Sequence, residues 1–285
     1  MKYLTTLVVG VLVASISIAK AETGSEEFSS LEKRTGGRIG VAAVDVARNK
    51  RVEYHAQERF LMCSTFKVLA VSAVLKRVDE KKERLDRFVR YGEAQLLAYA
   101  PVTREHVKEG GMTVEALCAA AIELSDNTAA NLLLEAIGGP KGVTETARAL
   151  GDNFTRLDRK EPELNEAAEG DERDTTTPAA MCRDLEHLFT SDFLPAASRA
   201  RLESWMQANR TGAGLIRASV PADWKIGDKT GRSGKGATND IAILRPPSGG
   251  PVFVAIYTND PAGSEEGRQR LVADAAKVAL EALKK

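Results

Sequence analysis

The feature that most limits how this 285-residue chain can fold is the placement of its strands. Arg38 to Val46 carries a nearly continuous apolar core of Ile39, Val41, Ala42, Val44 and Val46, turns at Arg48-Asn49-Lys50, and returns through Arg51 to His55 as a hairpin. Strong strand signals come back only near the other end, at Asp240 to Leu244 and Val252 to Thr258. The loop joining that pair, Pro246-Pro247-Ser248-Gly249-Gly250, is one that no helix tolerates. Between the two strand regions lies a predominantly helical block from Ser64 to about Gln207, broken at Gly110-Gly111, Gly138-Gly139-Pro140, Gly151 and Pro178. Within it, Thr113 caps a helix running to Leu124, and Asn127 to Ile137 and Thr144 to Leu150 read as two more. Strands at both ends with helices between imply that the termini meet in one antiparallel sheet while the middle forms a separate helical lobe. We therefore expect an α+β fold of the α/β/α sandwich type. Residues 22–62 and 210–285 would form the sheet domain, flanked by helices at Ser25 to Arg34 and Gly267 to Leu283. Residues 63–209 would form the helical lobe, with a ligand cleft between the two.

Residues 1–21 do not belong to that fold. Lys2 precedes an apolar run, Leu7 to Ile18, that is short for a membrane span, and Ala19-Lys20-Ala21 has the small-x-small form of a cleavage site. Export is expected, to the periplasm or beyond, with a mature chain that starts near Glu22 and keeps no membrane attachment. No Cys precedes position 63, which argues against a lipid-anchored leader. The 40 basic and 40 acidic side chains balance, so charge points neither to nucleic acid nor to an anionic membrane as a partner. Cys63, Cys118 and Cys182 are odd in number, leaving at least one thiol unpaired unless two chains join. A chain of this length buries enough surface to fold without disulfides. None of the three has metal-ligand spacing to another, and His55, His106 and His187 are scattered, so neither a metal nor another cofactor is expected.

Four stretches carry chemistry. Ser64 and Lys67 lie three residues apart at the start of a helix that is apolar on almost every side through Phe66, Val68, Leu69, Val71, Val74 and Leu75. Such a helix belongs in the middle of a domain, which buries Lys67. The hydroxyl and amine then share one face, about a turn apart, within reach of a common hydrogen bond, and first-turn N–H groups favour negative charge on the serine oxygen. Ser125-Asp126-Asn127 follows the helix ending at Leu124; it supplies ordinary cap residues, or a serine able to pass a proton and an amide able to hold both a carbonyl and a lysine. In the polar segment Arg159 to Asn165, Glu161 and Asn165 are a carboxylate and an amide four residues apart, on a loop clamped by an Arg159 to Asp174 ion pair and suited to holding one water for attack. Finally, Lys229-Thr230-Gly231 offers a cation, a hydroxyl and a close backbone approach to an anionic group.

Taken in this order, Ser64-x-x-Lys67, Ser125-Asp126-Asn127 and Lys229-Thr230-Gly231 resemble the three signature elements of penicillin-recognising serine enzymes. The segment Glu161-Pro162-x-Leu164-Asn165 resembles the loop specific to class A β-lactamases. The resemblance covers nearly the whole chain after the leader. It implies an exported, monomeric serine hydrolase of β-lactam antibiotics, penicillins and cephalosporins, that confers resistance. Ser64 would be acylated, and its proton would go to Lys67 or, through a water, to Glu161. The oxyanion would rest on the N–H groups of Ser64 and Arg232, and Ser125 would protonate the ring nitrogen. Lys229 and Thr230 would bind the substrate carboxylate, Glu161 and Asn165 would activate the deacylating water, and Tyr99 would line the site. A D,D-peptidase or a penicillin-binding sensor domain is the alternative, and Glu161 with Asn165 argues against both. The sequence departs from the resemblance in two places. Ser233 stands where serine carbapenemases have the Cys that bridges to the one before the nucleophile, so Cys63 has no such partner. Arg232 replaces a usually small residue, while Thr238 stands where many relatives have an arginine, leaving Arg232, Arg268 and Arg270 as candidates to assist carboxylate binding.

Overall fold

The computed structural model describes residues 24–166, 168, 170–260 and 262–285; the expected leader lies outside them. Helix α1 (Ser25–Thr35) ends at Gly36, whose left-handed φ of 74° lets its N–H return to the Glu32 carbonyl. The hairpin β1 (Arg38–Asp45) and β2 (Lys50–Tyr54) follows, then the short β3 (Phe60–Leu61). A single 3-10 turn at Cys63–Thr65 leads into α2 (Phe66–Asp79). The lobe continues through β4 (Phe88–Arg90), β5 (Gly111–Thr113), α3 (Val114–Glu123), α4 (Asn127–Ala136), α5 (Pro140–Ala149), β6 (Thr175–Thr176), α6 (Pro178–Thr190) and α7 (Ala196–Gln207). The chain closes with β7 (Lys225–Arg232), β8 (Thr238–Arg245), β9 (Val252–Asn259) and α8 (Glu265–Lys284).

The main sheet has the order β2-β1-β9-β8-β7, and every neighbouring pair is antiparallel. Strand β1 from one end of the chain lies against β9 from the other, with Val41 opposite Ile256 and Ala42 opposite Ala255, so the expected α+β architecture is what the structure has. Successive side chains on a strand face opposite ways. In β1 and β9, Ala42, Val44, Phe253, Ala255 and Tyr257 therefore join the core shared with the helical lobe. Ile39, Val41, Ala43, Val254 and Ile256 join a second core under α1 and α8. Both faces are covered, which explains why β1 reads as nearly continuous apolar sequence rather than as an alternation.

Helix α2 is buried at every position from Phe66 to Leu75, Lys67 included. It is the apolar helix anticipated from the sequence and runs through the middle of the lobe. Several boundaries differ. Ser64 lies in the 3-10 turn just before α2 rather than in its first turn, β2 begins one residue earlier than expected, β8 and α8 each begin two residues earlier, and β7 is a full strand that the sequence did not delimit. Helix α5 begins at Pro140 rather than Thr144, because proline, read as a break, is tolerated in the first turn of a helix. Strand β7 matters most for the site, because it forms the sheet edge nearest the 3-10 turn.

Candidate active site

Ser64 is presented by backbone held in an unusual conformation. Cys63, immediately before it, has a φ of +46°, and Ser125 across the site has +58°. Left-handed non-glycine residues are costly and persist only where the surroundings impose them. Thr65 helps impose this one, since its hydroxyl donates to the Met62 carbonyl and meets the buried Tyr257 hydroxyl. Gly231 on β7 brings the sheet edge against this turn: a Cβ there would lie 2.6 Å from the Met62 carbonyl oxygen and 3.2 Å from Ser64 N. Glycine is required at this approach because backbone, not a movable side chain, fills the space.

The Ser64 hydroxyl donates to Glu161 Oε1 at 3.1 Å. Lys67 Nζ, fully buried, donates to the Ser125 carbonyl (2.8 Å), Ser125 Oγ (3.3 Å) and Asn127 Oδ1 (2.7 Å), and lies 3.2 Å from Glu161 Oε1. The expected hydrogen bond between Ser64 and Lys67 is therefore replaced by a carboxylate that both groups address. Burial lowers the Lys67 pKa from its ordinary value, against the opposing pull of the Glu161 and Asp126 charges. Lys229 is likewise fully buried and donates to Ser125 Oγ at 3.0 Å and to the Thr230 carbonyl. Burial first, and the nearby Lys67 charge second, hold its pKa well below the usual lysine range. Ser125 Oγ thus sits between two amines, an arrangement suited to moving a proton.

Glu161 is fixed from three sides. Asn165 Nδ2 donates to its Oε2 at 2.6 Å. Asn131, on α4, accepts from the Glu161 N–H and donates to the Glu161 carbonyl. Sequence reasoning missed Asn131, although it lies four residues beyond Asn127 on the same helix, a spacing that puts both on one face. The loop carrying Glu161 is anchored as expected by Arg159 Nε, 2.5 Å from Asp174 Oδ2. Asp174 does more than pair with that charge: its Oδ1 accepts the N–H groups of Asp158 and Arg159, and its carbonyl accepts from Met62 N, two residues before the nucleophile. Asp126 fills the capping role, accepting from Ala129 N at the start of α4. It also ties the segment carrying Tyr99 to the site by accepting from Val102 N and Thr103 N, while Asn127 N donates to the Tyr99 carbonyl.

These groups surround a cleft of about 310 Å³ lined by Ser64, Tyr99, Ser125, Asn127, Asn165, Thr211, Thr230 and Arg232. All but Thr211 stand among the residues singled out above. Lys67, Glu161 and Lys229 lie just behind this wall, bonded to residues within it. Arg232 Nη2 donates to the Thr211 carbonyl, which holds its guanidinium at the cleft. Arg268 instead bonds to the Gly263 carbonyl and Arg270 pairs with Glu266, so neither lines this cleft. A larger cavity of about 690 Å³ lies elsewhere, against Arg38, Arg59 and Phe60. Its arginines are already paired with Glu58, Glu172 and Thr175, and it holds none of the nucleophile's partners. The chemistry therefore belongs to the smaller cleft. Cys63, Cys118 and Cys182 are free and buried, and burial raises each thiol's pKa. Among the described residues no cluster of three His, Cys, Asp or Glu is placed to hold a metal ion.

Comparison with known proteins agrees with this geometry. A family model described as the beta-lactamase enzyme family matches residues 24–283. The chain is 44% identical to beta-lactamase CTX-M-8 of Citrobacter amalonaticus, over 98% of its own length and 96% of that protein's. It is 43% identical to beta-lactamase OXY-2 of Klebsiella oxytoca, over 96% of its length and 95% of that protein's. Among solved structures, an ancestral (GNCA) class A beta-lactamase superposes with a TM-score of 0.88 at 54% identity, covering 91% of this chain and 99% of that one. The putative class A beta-lactamase PenP from Rhodopseudomonas palustris does so with a TM-score of 0.88 at 49% identity, covering 91% and 99%.

Proposed function

The chain belongs to the beta-lactamase enzyme family, as a class A serine β-lactamase that hydrolyses β-lactam antibiotics, and from that premise we propose how its residues divide the reaction. The observation that carries the assignment is a nucleophile with its base already in reach: Ser64 Oγ lies 3.1 Å from Glu161 Oε1. Glu161 takes the Ser64 proton as Oγ attacks the lactam carbonyl. The N–H groups of Ser64 and Arg232 receive the negative charge that develops on the carbonyl oxygen, a role supported by the close approach of Gly231 to Ser64 N. As the C–N bond breaks, Ser125 gives its proton to the ring nitrogen and regains one from Lys67, which in turn takes the proton that Glu161 received from Ser64, so that Glu161 is a carboxylate again before deacylation.

The second half of the cycle reuses Glu161. With Asn165 holding its other oxygen, it takes a proton from a water that attacks the ester carbon, and Ser64 leaves with a proton returned from Glu161. Thr230 and Arg232, with the buried Lys229 behind them, form the part of the cleft that receives the substrate carboxylate, and the half-exposed Tyr99 lines the same cleft. We also assign the enzyme to the space outside the cytoplasm, on the strength of the leader read in residues 1–21, and take it as the monomer that the family resemblance implies. Among the described residues no helix is long and apolar enough to cross a membrane.

Glu161→Ala tests the division of labour. Mixed with a penicillin, this variant is expected to retain the opened drug as a stable mass increase in intact-protein mass spectrometry. Prompt return to the unmodified mass would remove Glu161 from the deacylation step.

A further inference from the structure

Asn239 belongs to none of the motifs, yet it holds the turn that presents the nucleophile. It is fully buried on β8 and stands directly opposite Gly231 of β7. Directly opposed residues turn their side chains to the same face of a sheet, and glycine contributes none, which leaves the 3-10 turn within reach of Asn239. Its Nδ2 donates to the Leu61 carbonyl at 2.8 Å and to the Met62 carbonyl at 3.2 Å. Its Oδ1 accepts the Thr258 N–H at 3.2 Å. A backbone N–H can only donate, so the atom facing Thr258 is the amide oxygen, and both amide protons go to the two carbonyls. The pairing of β8 with β9 runs from Leu244 and Val252 to Asp240 and Ile256, then resumes only at the bridge between Ala237 and Asn259. In the gap, the Asn239 side chain takes the place of the ladder.

The Met62 carbonyl is where several constraints meet. It also accepts from Thr65 N at 3.3 Å and from Thr65 Oγ1 at 2.9 Å, while Met62 N donates to the Asp174 carbonyl. A peptide unit is planar, so fixing this carbonyl fixes the plane that enters Cys63 at its φ of +46°. The direction of the next N–H, that of Ser64, follows from it. The other oxyanion donor, Arg232 N, comes from β7, one residue beyond Gly231. Asn239, paired beside β7 and bonded to the turn, spans the two donors.

We propose that Asn239 is a positioning residue that sets the spacing of the two oxyanion donors, the N–H groups of Ser64 and Arg232. This rests on the β-lactamase reading above. The acyl-enzyme forms and breaks down through tetrahedral intermediates that share this hole, so losing the spacing slows both steps. Displacing the loop that carries Glu161 is different, since it acts most on deacylation.

The test uses Asn239→Asp, which keeps an acceptor for the Thr258 N–H and sets an oxygen where the NH2 faced the two carbonyls. Outright loss of one oxyanion donor costs about a hundredfold or more, and a displaced donor is expected to lower kcat for a penicillin about tenfold. Because both steps slow together, KM stays within about twofold of the parent. Phenylboronic acid, which bonds through boron to Ser64 Oγ and sets a hydroxyl oxygen in the hole, is expected to inhibit with a Ki raised by about the same factor as kcat falls. Partial unfolding would lower kcat through the active fraction but leave Ki unchanged, so Ki separates positioning from stability. Asn239→Ala, which brings in no repelling oxygen, is expected to change kcat and Ki in the same directions and keeps the test open if the aspartate variant does not fold. A parental Ki in a folded variant, or a raised KM with kcat retained, overturns the proposal. A parent enzyme that neither turns over the penicillin nor binds the boronic acid would instead sink the hydrolase reading, so the two failures are told apart.

Discussion

Replacing Asp174 with Asn tests whether the loop that carries Glu161 is aligned by charge or only by shape. The substitution is close to isosteric, and asparagine tolerates the left-handed φ of +58° at this position, so the backbone supplies no reason for change. Asn Oδ1 can keep accepting the N–H groups of Asp158 and Arg159. The other branch becomes an NH2 facing Arg159 Nε, where 2.5 Å now separates two donors. The Asp174 side chain is fully buried and that of Arg159 is 21% exposed, so solvent screens the lost pair only in part. A hydrogen bond to a charged group contributes about 1.5–3 kcal/mol, and losing it should cost about that much. For domains of this size each kcal/mol moves the midpoint by about 2–4 °C, so melting should fall by about 3–12 °C. Kinetics should show more. A misplacement of about 1 Å at a catalytic group costs on the order of a hundredfold, and the displaced groups are Glu161 and Asn165. Stopped-flow measurements with a chromogenic cephalosporin should therefore show deacylation slowed more than acylation, and the ratio of activity on penicillins to that on bulky oxyimino cephalosporins should change. A lower melting point with unchanged rate constants and substrate profile would refute alignment by the ion pair.

Two further outcomes follow from the same coordinates. Gly231→Ala places a methyl group 2.6 Å from the Met62 carbonyl, so β7 must retreat from Ser64; displacing one oxyanion donor predicts a loss of kcat of about a hundredfold or more, and a value within twofold of the parent would show that the close approach is not needed. Asp184 on α6 is buried beside Asp152, and burial keeps its carboxyl protonated well above the usual carboxylate range. The unfolded chain releases that proton near pH ~4 whereas the native state keeps it, so this group's contribution to stability falls as pH rises from there. Asp184→Asn, a neutral mimic, should melt higher relative to the parent at pH 7 than at pH 4, and parallel melting curves would contradict this.

Ser64, Lys67, Ser125 and Glu161 were legible before folding because each sits in a short pattern whose chemistry is local: a helix start, a cap, a polar loop. The strands β1, β8 and β9 were legible because apolar residues dominate them. Strand β7 was not, for it buries Asp228 and Lys229 completely and so lacks an apolar signature. That burial is supported by Arg217, Asn209 and Ser125, which come from three separate segments and meet only in the folded chain. Thr211 had no local signal at all, since it meets Thr230 and the cleft only in the folded chain. The anticipated Ser64 to Lys67 bond gave way for a related reason: residue spacing describes one helix, whereas Glu161 arrives from a loop almost a hundred positions away and takes both partners.

The pairing of β1 with β9 sets a timetable for biogenesis. Val41 leaves the ribosome early, yet its neighbour Ile256 emerges only when almost the whole polypeptide has been made. At ~5–20 residues per second the first hairpin waits roughly ten to forty seconds for the strand that completes its hydrogen bonding. During that interval the nascent enzyme cannot lock shut, and a secretory pore that accepts only extended polypeptide would find it still threadable.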